Sequence, residues 1–123
     1  MSITRVQLFS PVSDQDRARD FYTGVLGMEL VREMPMGPAM RWVQVRPKGA
    51  DTSITLVTWF PSMPAGSLTG LVLETDDLDA EIERLKGLGV EPEEPARQQA
   101  WGRSVTIRDP DGNGLVIQAT TAG

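Results

Sequence analysis

The 123-residue chain contains no histidine and no cysteine. Without histidine it lacks the commonest metal ligand and the usual proton carrier near neutral pH. Any catalysis falls to carboxylates, lysine, tyrosine, amides or hydroxyls, and any metal to oxygen ligands alone. Without cysteine there is neither a disulfide framework nor thiol chemistry. Positive charge is in deficit: Lys+Arg number 12 against 17 Asp+Glu, for a net −5. That balance argues against nucleic acid or an anionic membrane as partner. No apolar run approaches the roughly 18 residues of a membrane span. Met1–Ser10 lacks the apolar core of a signal peptide, so a cytoplasmic location is expected.

What the chain does have is a repeat. Residues 4–30 and 68–93 both read as strand, capped helix, glycine stop, strand. At an offset of 62, Asp14 matches Asp76, Ala18 matches Ala80, Leu26 matches Leu88 and Gly27 matches Gly89. At an offset of 63, Pro47 matches Pro110 and Gly49 matches Gly112, each in the turn of a later hairpin. A duplicated unit of half the chain length implies two modules in one pseudo-symmetric body, with a cleft where their sheets face each other. The length fits one compact domain spanning 1–123. Its modules are expected at 1–59 and 67–120, joined by a short linker, 60–66, that holds Pro61 and Pro64.

Alternation and turn chemistry place the elements. Thr4–Phe9 reads as the first strand. Ser13-Asp14-Gln15-Asp16 reads as a helix start with acids in the first turn. Ala18, Phe21, Tyr22, Val25 and Leu26 form the buried stripe of that helix, and Gly27 stops it. Strands are expected at Met28–Glu33, Ala39–Arg46 and Ser53–Trp59, with Met34–Pro38 as a loop. In the second half the expected strands are Ser67–Glu74, Val90–Glu94, Trp101–Arg108 and Gly114–Ala119, with Pro95–Ala100 as a polar loop. Asp76 or Asp77 caps the second helix, which buries Leu78, Ile82, Leu85 and Leu88. Asp109-Pro110-Asp111-Gly112-Asn113 is a turn, and Thr120–Gly123 a frayed tail.

The fold class is therefore α+β, with two βαβββ modules forming a half-barrel cleft. Period-2 alternation sends Ile54, Leu56, Leu71, Leu73, Leu115 and Ile117 under the helices. It sends Arg5, Gln7, Phe9, Thr55, Val57 and Trp59 to the opposite face of the first sheet. On the second sheet that face carries Gly70, Val72, Glu74, Gly114, Val116 and Gln118. This mixed polar and aromatic set suits a binding surface.

Two segments carry a family resemblance. Val12-Ser13-Asp14 leads to Phe21-Tyr22-Thr23-Gly24-Val25-Leu26-Gly27-Met28-Glu29-Leu30, and later comes Asp109-Pro110-Asp111-Gly112-Asn113-Gly114. With the duplicated βαβββ pattern, the whole chain resembles the vicinal oxygen chelate superfamily, which includes glyoxalase I, extradiol dioxygenases and bleomycin-binding resistance proteins. The resemblance implies four metal-ligand positions on strands one, four, five and eight, which fall at Gln7, Thr55, Gly70 and Val116. Gln7 is a possible ligand and Thr55 a poor one. Gly70 and Val116 offer no side-chain donor, so no metal and no other cofactor is expected. A displaced site built from Gln7, Glu74 and Gln118 is the remaining alternative. The resemblance also implies a homodimer, with each cleft built either within one chain or across two.

Three functions follow as expectations. The first is metal-independent binding of a small, planar organic ligand, as in proteins that sequester an antibiotic. Arg5, Gln7, Phe9, Trp42, Thr55, Trp59, Trp101 and Gln118 are its candidate ligand-binding residues. The tryptophans could equally be core or interface residues, and Gln7 an interior amide satisfied by backbone. Met34, Met36, Met40 and Met63 form either an adaptable lid or a subunit contact. The second function is a superfamily enzyme of lyase, isomerase or dioxygenase type, with Glu74 as acid or base. Partial burial on the inner face would raise the pKa of Glu74; an ordinary strand-end carboxylate is the rival reading. Arg5, Arg41 and Arg103 could pair with an anionic substrate or make surface ion pairs. The third function is an interaction protein with a vestigial cleft.

Overall fold

The computed structural model describes residues 3–38, 40–100 and 102–120. Two four-stranded sheets form. The first contains β1 (Gln7–Pro11), β2 (Glu29–Gly37), β3 (Met40–Arg46) and β4 (Ser53–Val57), in the order β1-β4-β3-β2. The second contains β5 (Leu71–Glu74), β6 (Arg97–Gln99), β7 (Gly102–Arg108) and β8 (Gly114–Thr120), in the order β5-β8-β7-β6. In each, the first strand pairs parallel with the last, and the other neighbours are antiparallel. Helix α1 (Gln15–Asp20) follows the first strand of one sheet and α2 (Leu78–Gly87) that of the other. The duplicated α+β architecture expected from the repeat is present.

Local chemistry sets the helix limits. Asp14 accepts from the Arg17 backbone N–H at the start of α1, and Asp77 accepts from that of Ala80 at the start of α2. The second cap is thus one residue beyond Asp76, the repeat partner of Asp14. α1 widens into a π turn over Phe21–Val25, where Leu26 N–H donates to the Phe21 carbonyl. Gly27 and Gly89 then reverse the chain at φ +77° and +84°, a left-handed conformation that glycine adopts without a Cβ clash. Leu88, expected in the buried stripe of α2, is 51% exposed. α2 ends at Gly87, and the Val90 N–H closes onto the Leu85 carbonyl, so Val90 packs against the core instead.

Several strands differ from expectation. Met34–Gly37 is no loop but the end of β2, paired with β3 through Met34–Trp42, Pro35–Arg41 and Gly37–Met40. Pro35 is tolerated because β2 is an edge strand whose register shifts between Pro35 and Gly37. β6 forms at Arg97–Gln99, inside the expected polar loop, and Val90–Glu94 meets β7 through the Glu93 N–H to the Thr106 carbonyl. Pro92, without an N–H, cannot extend that contact into a ladder. β5 starts at Leu71, later than Ser67, because Gly70 at φ +86° breaks the extended chain. β1 starts three residues later than Thr4 and ends two residues later than Phe9. β8 includes Thr120, expected in the tail, whereas 121–123 lie outside the described residues.

One continuous core joins the halves. The first sheet gives Val43, Val45, Ile54 and Leu56, and the second gives Val105, Ile107, Leu115 and Ile117. Ala18, Phe21, Tyr22 and Met28 from the first connection, and Leu78 and Leu85 from α2, fill the space between them. The helix sides of the two sheets therefore meet, with Leu71 and Leu73 packed against this core.

A polar staple crosses it. The Tyr22 hydroxyl donates to Asp109 Oδ2 at 2.9 Å. Asp109, 5% exposed, also accepts from the N–H groups of Asp111 and Asn113 and from Asn113 Nδ2. Asn113 Nδ2 donates in addition to the Pro11 carbonyl, and its Oδ1 accepts from Leu68. A buried carboxylate needs such donors to offset lost hydration. Burial and then the Asp109 charge push the Tyr22 pKa far above its ordinary 10.0. No helix among the described residues is long and apolar enough to cross a membrane.

Candidate ligand-binding site

With Val43, Val45, Ile54 and Leu56 turned into the core, alternation leaves Trp42, Gln44, Ser53, Thr55 and Val57 on the other face of the first sheet. β1 aligns Phe9 beside Thr55 and Gln7 beside Ser53. Four rings gather there. Phe9 lies 6.1 Å from Trp42, 6.3 Å from Trp59 and 5.7 Å from Phe60, each edge to face. Trp42 and Trp59 lie 6.5 Å apart with planes tilted by only 32°. Such spacings are those of favourable aromatic pairs. Trp59 is half-buried and Phe60 is 41% exposed, so the platform is reachable from solvent.

Its polar neighbours are aligned by one another. Gln7 Nε2 donates to Thr55 Oγ1 at 2.5 Å. Trp42 Nε1 donates to Gln44 Oε1 at 2.9 Å, and Gln44 Nε2 donates to Ser53 Oγ at 2.7 Å. Thr55 is fully buried, whereas Gln7 is exposed and not an interior amide. The result is a neutral surface of rings flanked by fixed amides and hydroxyls, able to stack a flat apolar body and to hydrogen-bond its edge. Gln44 and Ser53 were not singled out in the sequence. Gln44 between Val43 and Val45 was the available signal, since one polar residue between two core valines must face the other way.

The remaining candidates are more scattered. Arg5 is exposed, two residues before β1. Register sets Glu74 beside Gln118 and Gln118 beside Ser104, and sets Val72 beside Val116. That face of the second sheet does not meet the ring platform within this chain, because the helix sides are what pack together. Glu74 is exposed at the end of β5, so the partial burial expected of it on the inner face is missing. Trp101 lies outside the described residues. Arg41 and Arg103 are engaged on the helix side: Arg41 pairs with Asp16 at 2.7 Å, and Arg103 with Asp79 at 3.0 Å. Met34 and Met40 border the platform along the β2–β3 hairpin, Met34 directly opposite Trp42.

The four positions that the family resemblance marks for metal do not fit a metal. Gln7 offers one amide oxygen, its Nε2 donating to Thr55; Thr55 offers only a neutral hydroxyl, and Gly70 and Val116 carry no side-chain donor. A hard divalent cation needs several oxygen ligands. Among the described residues no group of three or more acidic side chains gathers around one point.

Residues 4–117 match the model of the Glyoxalase/Bleomycin resistance protein/Dioxygenase superfamily. The chain is 36% identical over 110 residues to the protein YetH of Bacillus subtilis (strain 168), covering 87% of this chain and 90% of that one. It is similar to the solved structure of TnmS3, an antibiotic binding protein from Streptomyces sp. CB03234. The two share 49% identity with a TM-score of 0.91, over 98% of this chain and 99% of that one. A glyoxalase/bleomycin resistance protein from the same organism shares 48% identity with a TM-score of 0.83, over 94% of this chain and 99% of that one.

Proposed function

The chain belongs to the Glyoxalase/Bleomycin resistance protein/Dioxygenase superfamily, and on that premise we propose that it binds and sequesters a planar organic molecule of the antibiotic type without a metal. The observation that carries this reading is the four-ring platform of Phe9, Trp42, Trp59 and Phe60. The likeness to an antibiotic binding protein across almost the whole chain supports it. Phe9, Trp42 and Trp59 stack the ligand, and Gln7 and Gln44 hold its polar edge, with buried Thr55 aligning Gln7. Arg5, two residues before β1, borders the surface.

The working form in this proposal is a homodimer in which the second sheet of one copy faces the ring platform of the other. Exposed apolar residues support it: Met34 (42%), Phe60 (41%) and Met40 (37%) beside the platform, and Val72 (45%) on the second sheet. Contiguous apolar surface of this kind marks an interface. Glu74 and Gln118 of the partner copy would then close the cleft.

Titration of intrinsic tryptophan fluorescence with bleomycin and a panel of planar polycyclic compounds tests the reading. Saturable quenching by at least one compound is expected, unchanged by chelator. Trp59→Ala should weaken that binding by about 1 kcal/mol, roughly fivefold, with the fold retained. Absence of binding across the panel, or turnover of a bound compound, would overturn sequestration. Sedimentation should show a dimer burying roughly 1,200 Å² or more; a monomer at tens of micromolar protein, about the range where weak interfaces dissociate, would remove the cross-chain cleft.

A further inference from the structure

One cation stands unpaired beside the rings. Among the described residues, every arginine but Arg5 and Arg32 has a carboxylate partner at 3.6 Å or less. Arg5 and Arg32 are exposed and make no hydrogen bond, ion pair or ring contact. Arg5 precedes β1, whereas Arg32 stands inside the β2–β3 ladder, directly opposite Gln44. Opposite residues of an antiparallel pair share a face, so Arg32 is on the side of the ring platform. Its guanidinium keeps all its N–H donors unspent.

Register lays Phe9, Thr55, Gln44 and Arg32 in one row across the four strands. Trp42 and Met34 form the next pair along β3 and β2. Trp42 is thus the diagonal neighbour of Arg32, at a Cβ separation of roughly 7–8 Å that long side chains cross. The other charges nearby cancel. Arg46 lies opposite Glu29 and bonds it at 2.6 Å. Glu33, next to Arg32 in sequence, turns to the helix side and binds Arg19 at 2.9 Å. Although the chain carries a net −5, the ladder on this face therefore holds one uncompensated positive charge, at the edge of the rings.

We propose that Arg32 is the specificity-determining residue of the platform and that the preferred ligand is a planar polycyclic acid, its rings on Phe9 and Trp42 and its edge carboxylate held by the Arg32 guanidinium. The assignment rests on the ring platform being the ligand site. A guanidinium fork matches a carboxylate through two parallel hydrogen bonds. The rings supply most of the affinity, because apolar area leaves water there. Arg32 then chooses among ring systems of equal area: a carboxylate is attracted, an alcohol gains little and an ammonium is repelled. Because Arg32 is exposed, the selection is a few-fold and salt-sensitive.

The test uses the intact protein with three probes that share one ring system: 1-pyrenecarboxylate, 1-pyrenemethanol and 1-pyrenemethylammonium. Binding is read by quenching of intrinsic tryptophan fluorescence at about 0.05 M salt. The carboxylate should bind roughly fivefold tighter than the alcohol, and the ammonium weaker than the alcohol. At about 0.5 M salt the three should converge. Arg32→Gln should bring the carboxylate down to the level of the alcohol while leaving the alcohol unchanged. Arg32→Lys, which keeps the charge without the fork, should retain part of the preference. Lys86→Gln on α2 removes a positive charge remote from the rings and should keep the preference whole. A carboxylate preference that survives Arg32→Gln overturns the assignment. Equal binding of carboxylate and alcohol by the parent protein, as would follow if a partner carboxylate neutralised Arg32 in the dimer, overturns it too and leaves the platform standing. If none of the three probes binds, the platform falls and the subsite with it.

Discussion

Tyr22 shows how one residue ties the halves together. Its hydroxyl reaches an acceptor 87 positions away, and the native state therefore holds it protonated. Its folded pKa lies above the unfolded value of 10.0. The stability it contributes is complete below pH 10 and is lost as the pH climbs beyond that value, by about 1.4 kcal/mol per pH unit. Urea midpoints measured from about pH 9 to about pH 11 should fall in the parent protein and fall less steeply in Tyr22→Phe. At neutral pH, Tyr22→Phe should cost about 1–2 kcal/mol. An unchanged alkaline slope in the variant would show that another group titrates. The sequence marked Tyr22 as structural through its place in the helix stripe. It gave no hint of Asp109, because a turn rich in Asp, Pro and Gly is fully explained by turn chemistry alone.

Gly66 is a second residue whose role only the fold reveals. It sits at φ +83°, and a Cβ built there would lie 2.3 Å from the Asp111 carbonyl oxygen. Gly66→Ala combines backbone strain with a clash against rigid backbone, so a loss of about 1–3 kcal/mol is expected in thermal or urea unfolding. Gly24, with open space around its Cβ position, is the control that should change little.

At the scale of elements, the helices were more legible than the strands. A capping aspartate and a stop glycine act within a few residues, so both can be read locally. Asp77→Ala should cost about 1 kcal/mol through the lost cap, and Asp76→Ala less than about 0.5 kcal/mol, as read by chemical denaturation. Equal effects would contradict the assigned cap. Strand limits depend on partners that lie far off in sequence. Pro35 looked like a loop because proline cannot serve a central ladder, and only its place on an edge strand lets β2 continue. β6 was displaced from Val90–Glu94 to Arg97–Gln99 because β7 pairs with the polar stretch that Pro92 does not interrupt. The ring platform was half visible. Phe9 and Trp59 were placed on one face by alternation and Trp42 was a candidate ring, whereas the meeting of these rings with Phe60 comes only through tertiary packing.

At the scale of the whole molecule, the repeat foretold the two sheets, and the paired glycines confirm it by sharing one backbone conformation. It could not foretell which faces would meet, since either pairing buries a comparable apolar stripe. The structure joins the helix sides, and this separates stability from binding in space. Leu56→Ala, fully buried in the joint core, should lose about 2–5 kcal/mol. Trp59→Ala should lose far less, and calorimetry of the two variants distinguishes core from platform. Comparable losses would place Trp59 in the core and remove the proposed ligand surface.

The joint core has one more consequence. The segment Pro61–Ala65 connects the halves covalently, but Tyr22, Asp109 and Asn113 connect them through packing and hydrogen bonds. A chain nicked at an engineered protease site after Ser62 should therefore remain a single particle in size exclusion, its two fragments held together noncovalently. Expressed apart, the fragments expose the joint core, Tyr22 loses its acceptor and Asn113 loses the Pro11 carbonyl, so each should be unfolded until mixed with the other. Complementation of that kind makes the peptide bond at the midpoint a matter of effective concentration, which a sufficient excess of the free partner fragment can replace.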